Sequence, residues 1–340
     1  MIWSSFFKAY KYQLILAVFL IAAIFICSPG AYAQGSLIGR WFKAAMRKAD
    51  DFGEGDHKFS LVHDGLIRNY MVHLPPAYDK GIPAPLVIYL HGGGGNMRAA
   101  YMDGLDKMSD KHGFILAVPE GTGEVKGGRL RGKWNGGKWD TGECCGDADD
   151  VGFISRMCDE IEANFNVDEN RIYATGISNG GLMTSRLGCE LADKIAAIAS
   201  VASAAVMSGC SPVSPVSVMV IHGTADPANP PDGSEPRGIF KEGVFAMPYK
   251  RMTPYQLVEV WKKIAKCSDS KTAAYQNGCA KCVVYNECAK RVEIELCIVQ
   301  GMGHAYPGGS QYFPVESIGP VSYDISFDQI WEFFKKHPKK

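Results

Sequence analysis

Several short stretches of this chain are apolar on both faces: LVIYL at residues 86–90, FILAV at 114–118, IYA at 172–174, IAAIASVA at 195–202 and VSVMVI at 216–221. A strand of that kind must be covered from above and below, and such runs belong to parallel sheets buried between helices. The segments between them supply the helices. Val151, Ile154, Cys158, Ile161 and Phe165 recur at steps of three and four, which marks one helical face. Residues 253–267 and 326–336 are also predicted to be helical, with Phe327, Ile330, Trp331 and Phe334 on one stripe, and a further helix is predicted over 98–111. A last strand is expected within 290–301. Strands alternating with helices predict an α/β fold, a mainly parallel central sheet with helices on both faces. Ahead of it, residues 59–76 alternate apolar and polar positions on either side of Asp64-Gly65, which predicts an antiparallel hairpin at the sheet edge. The glycine-rich stretch 120–146 has no period and is expected to be a long surface loop.

The N-terminus reads differently from the rest. Lys8 and Lys11 precede an apolar run at 14–27, and Ala31 and Ala33 occupy A-x-A positions. This pattern predicts a signal peptide, residues 1–33, cut after Ala33. The apolar run falls short of the roughly 20 residues that span a bilayer, so no stable membrane insertion is expected after cleavage. Residues 34–340 are read as a single catalytic domain, secreted to the periplasm or the medium. Eleven cysteines, of which only Cys27 lies in the leader, suit an oxidising compartment. The formal charge is zero, which gives no reason to expect a nucleic-acid partner. CAKC at 279–282 offers half a zinc site with no second ligand pair, so neither metal nor cofactor is expected.

Gly176-Ile177-Ser178-Asn179-Gly180 fits G-x-S-x-G between a predicted strand and a predicted helix. That is the setting of a nucleophile elbow, where the serine projects above the sheet. A serine nucleophile needs a base, and the base an orienting acid; in this arrangement they follow in the order serine, acid, histidine. Of His222, His304 and His337, the last lies in a charged tail and the first comes too early to follow an acid. His304, in GMGHAYPGG after the last strand, is the expected base. Asp226, in the loop after VMVIHG, is the expected acid; Glu293 and Glu295 lie within a strand, and Asp232, Glu235 and Glu242 lie farther out. The oxyanion donors are expected to be the amides of Asn179 and of Gly93, with Gly94 second, in HGGGGN. That glycine run lacks the Lys-Ser/Thr of a P-loop.

The motifs DGLIRNYMVHLPP, LHGGGGN, DDVGFI, RIYATGISNGGLMTSRLGC, VIHGTADP and GMGHAYPGG, spread from Phe59 to Trp331, resemble the secreted esterase family of feruloyl esterases, acetylxylan esterases and polyhydroxybutyrate depolymerases. The resemblance implies the α/β-hydrolase fold, with Ser178 as nucleophile, Asp226 as acid, His304 as base and Gly93 and Asn179 as oxyanion donors. It also implies disulfides Cys189–Cys210 and Cys267–Cys288. Tyr306 stands where members often carry Trp, and Ile177 where they often carry His or Leu. The expected substrates are feruloyl or acetyl esters of plant cell-wall polysaccharide. A polyhydroxybutyrate depolymerase is the alternative within the family, and a non-catalytic binding protein or a peptidase on the same scaffold are the alternatives outside it. Trp134, Trp139 and Tyr306 are the expected substrate-binding aromatics, with Phe240, Phe245 and Tyr249 as further candidates.

Overall fold

The computed structural model describes residues 55–126, 129–139, 142–203, 209–241 and 252–339. The predicted signal peptide lies outside them. Fourteen strands are present among the described residues. The first four are β1 (Asp56–His63), β2 (Leu66–His73), β3 (Ala84–Leu90) and β4 (Ile115–Pro119). Two small hairpins follow, β5 (Thr122–Lys126) with β6 (Arg129–Lys133), and β7 (Gly137–Trp139) with β8 (Gly142–Cys144). The rest are β9 (Val167–Ile177), β10 (Ala197–Val201), β11 (Ser217–Gly223), β12 (Thr272–Asn277), β13 (Ala280–Tyr285) and β14 (Ile294–Val299). The main helices are α1 (Leu105–His112), α2 (Asp150–Asn164), α3 (Asn179–Glu190), α4 (Pro254–Ala265) and α5 (Phe327–Lys336).

Ten strands form one sheet in the order β1-β2-β4-β3-β9-β10-β11-β14-β13-β12. From β4 to β14 every neighbouring pair is parallel. Antiparallel hairpins, β1–β2 and β12–β13, close the two edges. The first turns at Asp64 and Gly65, both with positive φ (49° and 74°), the backbone that a two-residue hairpin loop requires.

Strand side chains alternate between faces, and the core divides accordingly. Leu86, Ile88 and Leu90 of β3, Ile172 and Ala174 of β9, and Val218 and Val220 of β11 share a cluster with Ile154 and Ile161 of α2, Leu187 of α3 and Trp261 of α4. On the other face Tyr173 stacks on Phe334 of α5 at 4.7 Å, and Phe114 packs on Trp331 at 5.0 Å. The helices start where their sequences direct. Thr253 with Gln256, and Ser326 with Gln329, form capping boxes, while Asp149 accepts the amide of Gly152 at the start of α2.

Two sequence expectations are corrected. Residues 120–146 do not form an irregular surface loop, because β5–β6 and β7–β8 pair within them. The helix expected over 98–111 is broken at Gly104, whose φ of 75° interrupts it and leaves one turn, Ala99–Met102, ahead of α1. The β12–β13 hairpin adds an antiparallel edge beyond β14.

Cys189 is bonded to Cys210 and Cys267 to Cys288, each across 21 residues, and Cys282 to Cys297 joins β13 to β14. In the chain-entropy picture a loop of that size stabilises the fold by about 3 kcal/mol. Cys145 is also disulfide-bonded, while Cys158 and Cys279 carry free thiols.

Candidate active site

The parallel strands β3, β9, β10, β11 and β14 end side by side, and their C-terminal loops carry the chemistry-bearing residues. β9 runs into Ser178, whose backbone (φ 58°, ψ −121°) lies in a region that non-glycine residues rarely occupy. Strain of that kind is held by its surroundings. The Ser178 amide donates to the Val201 carbonyl at 2.9 Å, and α3 begins at the next residue. The flanking glycines are required by close approach: a Cβ on Gly176 would lie 2.6 Å from the Leu90 carbonyl oxygen, and one on Gly180 only 2.1 Å from it. Any side chain there would push β3 off β9.

Asn179 is gripped from the side. Its side-chain carbonyl accepts the Trp134 amide at 2.8 Å, and its Nδ2 donates to the Trp134 carbonyl at 3.0 Å. The Trp134 indole donates to the His91 carbonyl at 2.9 Å. The glycine loop after β3 is held by β6: the Gly94 amide donates to the Gly132 carbonyl and the Gly132 amide to Gly95, both at 2.8 Å. Gly94 has therefore spent its donor, whereas the Gly93 amide donates to no protein group among the described residues. His91 fixes the base of the loop. Its Nε2 accepts the Gly121 amide at 3.1 Å, so Nδ1 carries the hydrogen and donates to the Gly92 carbonyl at 2.8 Å. Burial pushes this imidazole down to about 4, against the opposing effect of the Gly92 bond.

The other half of the site follows β11 and β14. Asp226, fully buried, accepts the amides of Ala228 (2.7 Å) and Asn229 (2.9 Å) on Oδ1. His304 Nδ1 lies 2.9 Å from Oδ2 and 3.1 Å from Oδ1. Burial alone would raise this carboxyl, but the charge of His304 and the hydrogen bonds from His222 and His304 outweigh it and hold Asp226 well below the usual carboxylate range. The carboxylate accepts only, so Nδ1 of His304 carries the hydrogen, and in the neutral ring Nε2 is the atom able to accept a proton. The His304 amide is tied to the Ile318 carbonyl, and the Phe240 ring stands edge-on to the imidazole at 5.1 Å.

A continuous path of contacts joins Ser178 to His304. Ser178 bonds to Val201, the Asn229 side chain donates to the carbonyl of the next residue, Ala202, at 2.7 Å, and the Asn229 amide bonds to Asp226. Ser178 and His304 are each 7% exposed, so both sit just under the surface rather than deep in the core.

The aromatic residues expected to bind substrate fare differently. Trp134 is fully buried as the clamp on Asn179 and His91, and Tyr306 is buried with its hydroxyl 3.0 Å from Thr175 Oγ1 and its ring on Tyr89. Neither presents a face to a ligand, and their expected role is withdrawn. The Trp139 side chain, Phe245 and Tyr249 lie outside the described residues. Phe240 is buried and packs edge-on against His304. Sequence reasoning missed the clamp formed by Trp134 and His91; the glycines at 121, 123 and 132 on either side of an alternating stretch were the signal for the hairpin that carries it. Cys282, Glu295 and Cys297 come within 4.8 Å of one another, but both sulfurs are joined in the disulfide.

Comparison with known proteins finds a matching family model, named relatives and a likeness of fold. Residues 68–234 match the family model described as Esterase PHB depolymerase. Feruloyl esterase B of Piromyces equi is 31% identical over 256 residues, which cover 71% of this chain and 43% of that protein. Feruloyl esterase C of Emericella nidulans is 32% identical over 169 residues, 49% of this chain and 57% of its own length. The chain thus spans about half the length of these relatives. Among solved structures, the acetyl xylan esterase from Aspergillus awamori superimposes with a TM-score of 0.52 over 82% of this chain and 99% of that one, at 14% identity, a likeness of fold alone. The fold is the α/β-hydrolase fold, and residues 68–234, which match the esterase PHB depolymerase family model, hold the glycine loop, the Ser178 elbow and Asp226.

Proposed function

We propose that this chain is a secreted serine carboxylic-ester hydrolase that works through an acyl-enzyme on Ser178, with His304 as base and Asp226 as its orienting acid. The observation that carries the reading is the Asp226–His304 pair, 2.9 Å apart, on the same row of strand ends as a serine held at φ 58°. Ser178 Oγ attacks the ester carbonyl and gives its proton to the bare Nε2 of His304. Asp226 holds the ring in that tautomer and stabilises the imidazolium. The oxyanion is met by the amides of Gly93 and Asn179. His304 then protonates the departing alcohol, and water, activated by the same imidazole, releases the acid. The disulfides and the expected leader support export.

Feruloyl or acetyl esters of plant cell-wall polysaccharide are the proposed substrates, supported by relatives that bear the feruloyl esterase name. The family description favours a second reading, cleavage of hydroxybutyrate polyester. A hydrolysis panel of feruloyl, acetyl, p-nitrophenyl butyrate and hydroxybutyrate-oligomer esters separates them. Feruloyl or acetyl esters are expected to give the highest kcat/KM, and folded Ser178→Ala to lose several orders of magnitude on every substrate. Preferred turnover of hydroxybutyrate oligomers would establish the second reading; no ester turnover at all would reject both.

A further inference from the structure

Asp226 has a second imidazole beside it. His222, the penultimate residue of β11, is fully buried. Its Nε2 lies 2.7 Å from the Asn229 carbonyl oxygen and 3.4 Å from Asp226 Oδ2. A carbonyl only accepts, so Nε2 carries the hydrogen and directs it between these two oxygens. Nδ1 is buried without a partner among the described residues, and a hydrogen there would have no acceptor. The bonds therefore assign the Nε2–H tautomer.

Asn229 makes this contact consequential. Its carbonyl takes the His222 hydrogen, its amide donates to Asp226, and its side chain donates to Ala202. Ala202 follows Val201, which receives the Ser178 amide. One ring thus grips both the acid and the turn that fastens the acid to the end of β10, the strand that receives the Ser178 amide.

We propose that His222 is a positioning residue for the Asp226–His304 pair, an inference that rests on the serine-esterase reading above. Asp226 faces two ring donors, His304 on one side and His222 on the other, with the two turn amides on Oδ1. With His222 in place the carboxylate spreads its charge over all of them. Without it, Asn229 loses a buried partner, the turn is free to shift, and Oδ2 faces His304 alone. The carboxylate then holds the His304 imidazolium more tightly, which moves the acid limb of the rate profile to higher pH.

The test compares His222→Leu and His222→Gln in the whole mature chain, with folding checked by circular dichroism. Glutamine can return a donor to the position of Nε2; leucine cannot. kcat and KM for p-nitrophenyl acetate are measured across pH, and fluorophosphonate labelling of Ser178 is scored in the wild type. His222→Leu is expected to lose about tenfold or more in kcat, since small misplacements of catalytic groups cost up to about a hundredfold, with KM changed by less than about twofold. Its acid limb is expected to move upward, and His222→Gln to recover most of both. A folded His222→Leu with wild-type kcat or an unmoved limb overturns the inference, as does a glutamine variant as impaired as leucine. Should His222→Leu not fold, His222→Gln decides alone: wild-type kcat and limb support the inference, and a tenfold loss overturns it. An unlabelled wild-type Ser178 rejects the esterase reading and this inference with it, whereas a labelled wild type with unaffected variants rejects only the inference.

Discussion

The two halves of the candidate site are made of different materials. Around β11 and β14 the parts are ionisable: a buried carboxylate takes two amides and two imidazoles, and its charge sets the geometry. Around β3 and β9 the parts are neutral. A glycine loop, a serine turn and the Asn179 side chain are held by backbone bonds from the β5–β6 hairpin and Trp134. Neutral hydrogen bonds contribute about 1 kcal/mol each, so this half rests on several comparable supports. The first half depends on the identity of single side chains. The second depends on where the backbone runs.

Neutralising the carboxylate of the charged half has the largest expected effect. Asp226→Asn keeps the shape of the side chain but can offer an amide N–H where His304 needs an acceptor. That disfavours the tautomer with a bare Nε2. A fall in kcat of about ten-thousandfold is expected, with KM little changed. Steady-state kinetics on p-nitrophenyl acetate checks it, and a loss of only a few-fold would mean that the carboxylate does not orient the base.

The neutral half should give way more gradually. Asn179→Ala removes both bonds to Trp134 and leaves that residue's buried amide and carbonyl unpaired. A stability loss of about 1–3 kcal/mol for each such group is expected from urea unfolding. If the Asn179 and Gly93 amides receive the oxyanion, the displaced loop should also lower kcat by about a hundredfold. An unchanged kcat in the destabilised variant would separate the clamp from catalysis.

The smallest effect is in pH. Because burial holds His91 near about 4, below the unfolded reference of about 6.5, its contribution to stability is present above that reference and is lost as pH falls through the interval to about 4. Protonation also takes Nε2 away from the Gly121 amide. His91→Gln cannot titrate, so the gap in stability between wild type and variant should narrow between about pH 6.5 and 4. A gap that stays constant would show that the ring is not held unprotonated in the folded protein.

The same contrast explains what could be read from the sequence. Ser178 between glycines, Asp226 after an apolar run and His304 after the last strand each sit at a strand end, where local pattern reports position. The apolar runs gave the parallel sheet because strands buried on both faces have few other options. The neutral half was harder to read. Trp134 looks like a loop aromatic until the β5–β6 hairpin is seen to fold it under the glycine loop, and Tyr306 likewise turns inward to Thr175 and Tyr89. Those placements are long-range, and no local spacing encodes them. The β12–β13 hairpin does have a local signal, Asn277-Gly278 between alternating residues, beside the cysteines on either side of Ala280 and Lys281.

In the proposed mechanism Ser178 becomes covalently acylated. Acid-quenched intact mass spectrometry during turnover of a feruloyl or p-nitrophenyl ester, followed by peptide mapping, tests it directly. A mass increase equal to the acyl group is expected, carried by the peptide containing Ser178 and absent from Ser178→Ala. Ester turnover with the adduct on another residue, or undiminished turnover by folded Ser178→Ala, would contradict it.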